Sequence, residues 1–263
     1  MKISILIPTK NRLPILRETL YNIYYVNKLP KEDFEVIVSN DGDEDLSILY
    51  DEFPFDNLKV VKNTHKPGAA GNRNNAADYA KTEIFQFLDD DILITEDFLE
   101  RVIYWHYIMD DIIFCGKLKY SIKFRNIAQK SCFGRYLISN IYDNEDIDFV
   151  KLNDEGLYLS KWIHGSSMSL SRLIFEKIGG FNENIKFGGE ENELANRAVR
   201  MGYRLVYDKN NIYYHNEIDR LHIDKWLERH IYGMYGAVQL HLINLNNKSS
   251  NINKKRIKVK EDD

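Results

Sequence analysis

Apolar runs and helical stripes alternate along the first hundred residues. Ile3-Ser4-Ile5-Leu6-Ile7 is apolar on both faces and predicts a buried central strand that Pro8 stops. The polar stretch Thr9-Lys10-Asn11-Arg12 follows, and Pro14 suits the first turn of a helix that carries Leu16, Leu20 and Ile23. Phe34 to Val38 predicts a second strand, with Ser39-Asn40-Asp41-Gly42-Asp43 as another polar loop and Leu46 and Leu49 on a second helix. Leu58 to Val61 is a third strand. The small-residue turn Pro67 to Gly71 enters a helix with Arg73, Asn74, Ala76, Ala77 and Ala80. A fourth strand, Phe85 to Leu88, runs into Asp89-Asp90-Asp91. Strand and helix alternating four times predict an α/β chain with one mostly parallel central sheet, right-handed crossovers and the polar loops along one edge.

Further along, Thr95 is the expected cap of a helix with Leu99, Val102, Ile103 and His106 on one face, and Ile112 to Cys115 is the next strand. Residues 120 to about 160 mix basic, aromatic and acidic positions without a clear period. Trp162 to Leu170 reads as a loop feeding a strand, and Leu173 to Ile178 as a short helix stopped by Gly179-Gly180. Gly188-Gly189 precede a helix whose first turn holds Glu190, Glu191 and Glu193, where the macrodipole favours acids. Glu193 and Arg197 stand at i, i+4 and are expected to pair on the helix surface; Leu194, Ala195 and Ala198 face inward. Gly202 ends that helix. Two strands, residues 203–207 and 212–216, lead to a helix over about 224–245 with a broad apolar face, and the polar tail from Asn246 is expected to be disordered.

Composition narrows the classes. A net charge of -4 argues against a nucleic-acid binder, and Cys115 and Cys132 are too few and too far apart for a zinc or disulfide framework, which points to a reducing compartment. No run approaches the 18 apolar residues of a membrane span. Three adjacent carboxylates cannot sit inside a buried strand and must lie where it emerges, at the ligand-binding edge of an open sheet. There they hold a divalent cation or form a solvated acidic turn; the residues alone leave both open. The Lys66 to Gly71 turn lacks the Gly-Lys-Ser/Thr ending of a P-loop, and no Gly-x-Gly-x-x-Gly follows the first strand.

Three motifs in order resemble the inverting glycosyltransferases of family 2 over residues 1 to about 217. They are Pro8-Thr9-x-Asn11-Arg12 with Asn40-Asp41-Gly42, Gly71-x-Arg73-Asn74 leading to the Asp-x-Asp signature at Leu88-Asp89-Asp90-Asp91, and Gly179-Gly180-Phe181-Asn182-Glu183 followed by Gly188-Gly189-Glu190-Glu191-x-x-Leu194-x-x-Arg197. The resemblance implies the GT-A fold, with a Rossmann-like nucleotide-binding half (1–92) and an acceptor-binding, catalytic half (93–217), then a helical appendage (218–246) and a polar tail (247–263). It implies donor contacts from Pro8, Thr9, Arg12, Asp41, Arg73, Asp89 and Asp90. Mn²⁺ or Mg²⁺ would be held at Asp91, Asp89 and His215, and acceptor contacts made at Trp162, His164, Phe187, Gly188 and Gly189. Glu191 falls where the family's catalytic Asp lies, a departure that leaves Glu190 as the rival base. The Gly-Gly-Glu-acid segment also resembles a galactosyltransferase-type subset with a downstream metal-binding His.

The implied activity is metal-dependent, inverting transfer of a sugar from a nucleoside diphosphate, UDP-linked by expectation, to a hydroxyl acceptor in polysaccharide or glycoconjugate biosynthesis. A nucleotidyltransferase would be expected to carry a basic Gly-rich loop after the first strand, and a binding module without transferase activity would not need Glu191. The expected location is cytoplasmic. Residues 224–245 with the basic run Lys254 to Lys260 could also touch the inner face of an anionic membrane.

Overall fold

The computed structural model of the chain describes residues 1–140, 150–185, 188–218 and 221–258, with the last helix described as backbone alone beyond Leu242. The strands are β1 (Ile3–Thr9), β2 (Phe34–Asn40), β3 (Leu58–Lys62), β4 (Ile84–Leu88), β5 (Ile92–Ile94), β6 (Ile112–Tyr120), β7 (Val150–Lys151), β8 (Leu157–Leu159), β9 (Ser167–Ser171) and β10 (Arg204–His215). The helices are α1 (Leu13–Tyr25), α2 (Ile48–Glu52), α3 (Ala69–Asp78), α4 (Phe98–Ile108), α5 (Ile122–Ala128), α6 (Cys132–Asn140), α7 (Arg172–Ile178), α8 (Glu190–Arg200) and α9 (Ile223–Lys258).

One mixed sheet runs β3-β2-β1-β4-β9-β6-β10-β8-β7, with β5 paired to β10. Its first four strands are parallel, β9 is antiparallel to both β4 and β6, and β10 is parallel to β6. After β3 the chain returns to the far side of β1, so the strand order reverses there, and the crevice beyond the carboxyl ends of β1 and β4 is where such sheets take ligands. Alternation within β1 builds a core on each face. Ile3, Ile5 and Ile7 pack with α1, α2 and α4, whereas Leu6 packs with α3, α7 and α8. Each such fully buried aliphatic side chain contributes about 1.5–3 kcal/mol.

Pro8 does not end the first strand; it pairs within β1 as far as Thr9. Thr95 does not cap α4. Asp97 stands at that position, and the Thr95 hydroxyl donates to the Ile212 carbonyl instead. The two strands expected over 203–216 are one, β10, whose register against β6 shifts between Asp208 and Ile212. Within the stretch that showed no period lie α5, α6, β7 and β8; the Ser121 hydroxyl caps α5 by accepting from the Phe124 amide. Helix α9 continues past Leu245, where composition predicted a loose tail. Residues 237–258 contain neither Gly nor Pro to break it. No helix among the described residues is long and apolar enough to cross a membrane.

Candidate active site

The loops after β1, β2 and β4, the N-terminus of α3, the turn before β9, the start of α8 and the end of β10 close around a cleft of about 640 Å³. Of the residues singled out in the sequence, Pro8, Thr9, Arg12, Asp41, Arg73, Asp89, Asp90, Asp91, His164, Gly188, Glu190, Glu191 and His215 line it together. Trp162 stands behind that wall, edge-on to His164 at 4.3 Å between ring centres and against Tyr207. Gly189 is the left-handed N-cap of α8 (φ 91°). Phe187 lies outside the described residues.

The three aspartates part company on leaving β4. Asp90 turns inward, accepting from Thr9 Oγ1 at 2.7 Å and from Arg12 Nη1, while its backbone carbonyl accepts from Thr19. Burial pushes its carboxyl upward against the pull of the Arg12 guanidinium, and Asp91 adds to the rise. Asp91 accepts from Arg12 Nη1 at 2.9 Å on one oxygen and faces His215 Nε2 at 3.2 Å on the other. Asp89 accepts from Arg73 Nη2 at 2.8 Å.

Arg73 is itself buried and forks: Nη1 donates to Glu190 at 2.7 Å, Nη2 to Asp89 and to the Gly165 carbonyl. Its guanidinium lies over the Phe181 ring, 5.4 Å from the centre. The resemblance implies a donor contact for Arg73; in the structure it also joins the two acidic motifs.

Glu190 and Glu191 separate at the start of α8 because adjacent helical positions differ by about 100°. Glu190 points inward to Arg73. Glu191 lies against Gly165, where an added Cβ would stand 3.2 Å from its Cγ and Cδ. Among the described residues no arginine donates to Glu191, which accepts from the Asn192 side-chain amide at 3.0 Å and feels Arg73 only at longer range. Burial, then the neighbouring Glu190 carboxylate, pushes Glu191 up to about 7. Glu193 is buried rather than superficial, and its partner Arg197 also donates to the Ile178 and Gly180 carbonyls, tying α8 to the end of α7.

A donor that the sequence reading missed completes the far wall. One oxygen or nitrogen each from Asp91, His215 and Glu217 lie within 4.8 Å of one another. His215 Nδ1 is 3.5 Å from Glu217 Oε1, and Glu217 Oε2 accepts from Arg229 Nη1 of α9 at 2.6 Å. Burial alone would lower His215, but the Asp91 and Glu217 carboxylates outweigh it and hold the imidazole up at about 9. Two carboxylates and an imidazole at this spacing suit a hard or borderline divalent cation such as Mn²⁺ or Mg²⁺. Asp89, expected among the ligands, is outside this group and engaged by Arg73.

At the β1–β2 end of the cleft, Asp41 accepts from Asn63 at 2.6 Å and from the Gly68 amide at 3.1 Å, which brings the loop after β2 onto the turn before α3. Asn11, in the left-handed region (φ 54°), accepts through Oδ1 from the Asp43 and Glu44 amides. A Cβ on Gly42 would stand 2.1 Å from that oxygen, so only glycine fits.

The fold is shared with solved glycosyltransferases. The chain superposes on mannosyltransferase PcManGT from Pyrobaculum calidifontis in complex with GDP-Man and Mn²⁺ (TM-score 0.59, 21% identity, 82% of this chain and 56% of that one). It also superposes on S. aureus TarS 1-349 in complex with UDP-GlcNAc (TM-score 0.56, 18% identity, 81% and 58%). The fold is GT-A, and the class it defines here is a glycosyltransferase. The model of glycosyl transferase family 2 matches residues 4–179, and the chain belongs to that family.

A second model, described as the N-terminal domain of galactosyltransferase, matches residues 155–221. The chain is 29% identical to the probable glycosyltransferase YdaM of Bacillus subtilis over 78% of its own length and 48% of the relative's. It is 34% identical to the poly(ribitol-phosphate) beta-glucosyltransferase of Bacillus spizizenii over 57% and 23%. The chain thus spans half or less of these curated relatives.

Proposed function

We propose that the chain transfers a sugar, with inversion, from a nucleoside diphosphate donor to a hydroxyl of a saccharide or related acceptor. The observation that carries this reading is a single cleft lined both by a candidate cation-binding pair, Asp91 and His215, and by a buried carboxyl with a raised pKa, Glu191. Asp91 and His215, grouped with Glu217, line the same cleft as Glu191, whose pKa of about 7 suits a base working near neutral pH. The donor's nucleoside end would lie along Pro8, Thr9 and Asp41 with Asn72 beside them, and its diphosphate toward Asp91 and His215. Those two residues with Glu217 would hold Mn²⁺ or Mg²⁺, which when bound supplies positive charge beside the leaving diphosphate.

Glu191 takes the proton of the acceptor hydroxyl as its oxygen attacks the anomeric carbon. The bond to the diphosphate oxygen breaks on the opposite face, and its electron pair leaves with the diphosphate. Gly165 leaves room for the Glu191 side chain, and Arg73 fixes Glu190 so that it does not compete for the proton. A UDP-linked donor is supported by the relatives solved with UDP and UDP-GlcNAc. A role in cell-surface polysaccharide assembly draws on the poly(ribitol-phosphate) relative.

We divide the chain as residues 1–217 for transfer and 218–263 as an appendage. Along α9 the exposed Leu227, Ile231, Met234, Val238 and Leu242 fall on one side, and with the basic run Lys254 to Lys260 they support peripheral contact with an anionic membrane on the cytoplasmic side. The decisive experiment incubates the chain with a panel of nucleotide sugars and Mn²⁺, then assigns the anomeric configuration of product by NMR. Nucleoside diphosphate release with an inverted linkage is the expected result. Retention of configuration overturns the base assignment, and no turnover with any donor overturns the function.

A further inference from the structure

Helix α9 packs against α8 and brings one residue, Arg229, to the cleft. A Cβ on Gly188 would stand 3.2 Å from the Gly233 Cα, and one on Gly189 would lie 3.7 Å from Leu240 and 3.9 Å from the Gly236 carbonyl oxygen, so the approach is backbone to backbone. One turn before Gly233, Arg229 lines the cleft. Its guanidinium donates to Glu217 at 2.6 Å, and Glu217 is the residue whose other oxygen faces His215. A fixed positive charge thus sits directly behind the donor set that would take a dication. Such a charge weakens binding of an ion that arrives alone, because like charges repel across a partly buried gap. It favours a polyanion at the same place, since a guanidinium matches phosphate oxygens in a fork.

We infer that Arg229 is the residue that makes the cation and the nucleoside diphosphate bind together. It holds Glu217 before the ligands enter and turns to the diphosphate when the two arrive as a pair, carrying α9 with it over the cleft. Binding energy at the diphosphate would then be felt at Gly188 and Gly189, the residues that lead into Glu190 and Glu191. This rests on the reading of the cleft as a cation and nucleotide site.

The test is a pair of titrations by calorimetry on the whole chain, Mn²⁺ with and without saturating UDP, for the wild type, Arg229→Gln and Arg229→Lys. In the wild type UDP should tighten Mn²⁺ binding ~5-fold or more, the low end of ordinary coupling between sites. Arg229→Gln should bind Mn²⁺ alone more tightly than the wild type and lose most of that coupling; Arg229→Lys should keep most of it. An unchanged coupling factor in Arg229→Gln, or weaker binding of Mn²⁺ alone, overturns the inference while leaving the site intact. If the wild type binds neither Mn²⁺ nor UDP, the reading of the site falls and the inference with it. A measurement on the wild type needs no variant: trypsin cleavage after Arg229 should slow several-fold with Mn²⁺ and UDP together and not with Mn²⁺ alone. Equal cleavage in both conditions overturns the inference.

Discussion

At the scale of single residues, the cleft is a set of carboxylates sorted by their cations. Arg73 serves Asp89 and Glu190, Arg12 serves Asp90 and Asp91, and Arg229 serves Glu217. Among the described residues Glu191 has no such direct ion pair, and that difference supports the proposal that it is the base. Glu191→Gln keeps the size and removes the basic oxygen, so turnover should fall by at least ~10²-fold with donor affinity nearly unchanged. Equal turnover in Glu191→Gln and the wild type would remove Glu191 from the mechanism. The sign of the pH dependence follows from the raised value: the base form is scarce below about 7 and complete above it. Wild-type kcat/KM should therefore climb with pH through about 7, and Glu191→Gln should lack that limb.

The three aspartates were legible because no buried strand tolerates them, yet nothing in Asp89-Asp90-Asp91 says which one an arginine 78 residues away will claim. Glu217 was passed over because one acid after a strand is ordinary. The readable signal was its place two residues after His215, at the end of a strand.

At the scale of elements, the alternating first half was readable because each strand there is followed by a helix with its own stripe. The second half was not, because its contacts are made through space. The Gly179-Gly180-Phe181 turn shows this. Asn74 of α3 donates to the Phe181 carbonyl at 3.0 Å, accepts from the Phe181 amide at 2.9 Å and donates to Glu183 at 2.8 Å. One side-chain amide therefore replaces a strand partner for the turn, next to the arginine that spans the two acidic motifs. Asn74→Ala leaves both backbone groups of Phe181 without their partner and should cost about 1–3 kcal/mol. It should also lower turnover, since the segment leading to α8 loosens. Urea unfolding midpoints and kinetics on the same sample check both, and an unshifted midpoint would show that the clamp is dispensable.

The merging of the two expected strands into β10 has a similar cause. Asp208, fully buried, accepts from Arg101 and Trp105 of α4 and from the Asn210 amide, which lets the strand pause at its register shift and resume at Ile212. Local polarity at Asp208 to Asn211 reads as a loop; the partners that make it a strand lie about a hundred residues earlier.

At the scale of the whole molecule, the chain joins a parallel half that presents loops to a mixed half that presents α8 and the end of β10, with Arg229 of α9 at the cleft. The exposed apolar side of α9 faces away from the glycines that meet Gly188 and Gly189. Co-sedimentation with vesicles should retain the protein on anionic lipid and release it as salt rises; equal binding to neutral vesicles, or none to either, would end the membrane reading.

The arginines of the cleft bear finally on how the enzyme lives between turnovers. A pocket of crowded acids ordinarily leans on its metal to stay folded, as small zinc domains do. Here the counter-charges are covalent parts of the chain, so three arginines offset much of the charge of five carboxylates. Chelator should leave a protein with the same far-UV circular dichroism and one cooperative melt, whose activity returns when Mn²⁺ is restored. A broadened melt or lost ellipticity in chelator would show that the ion is a structural member. On the proposed reading the ion would be a visitor, and the protein could be made, stored and idle without it.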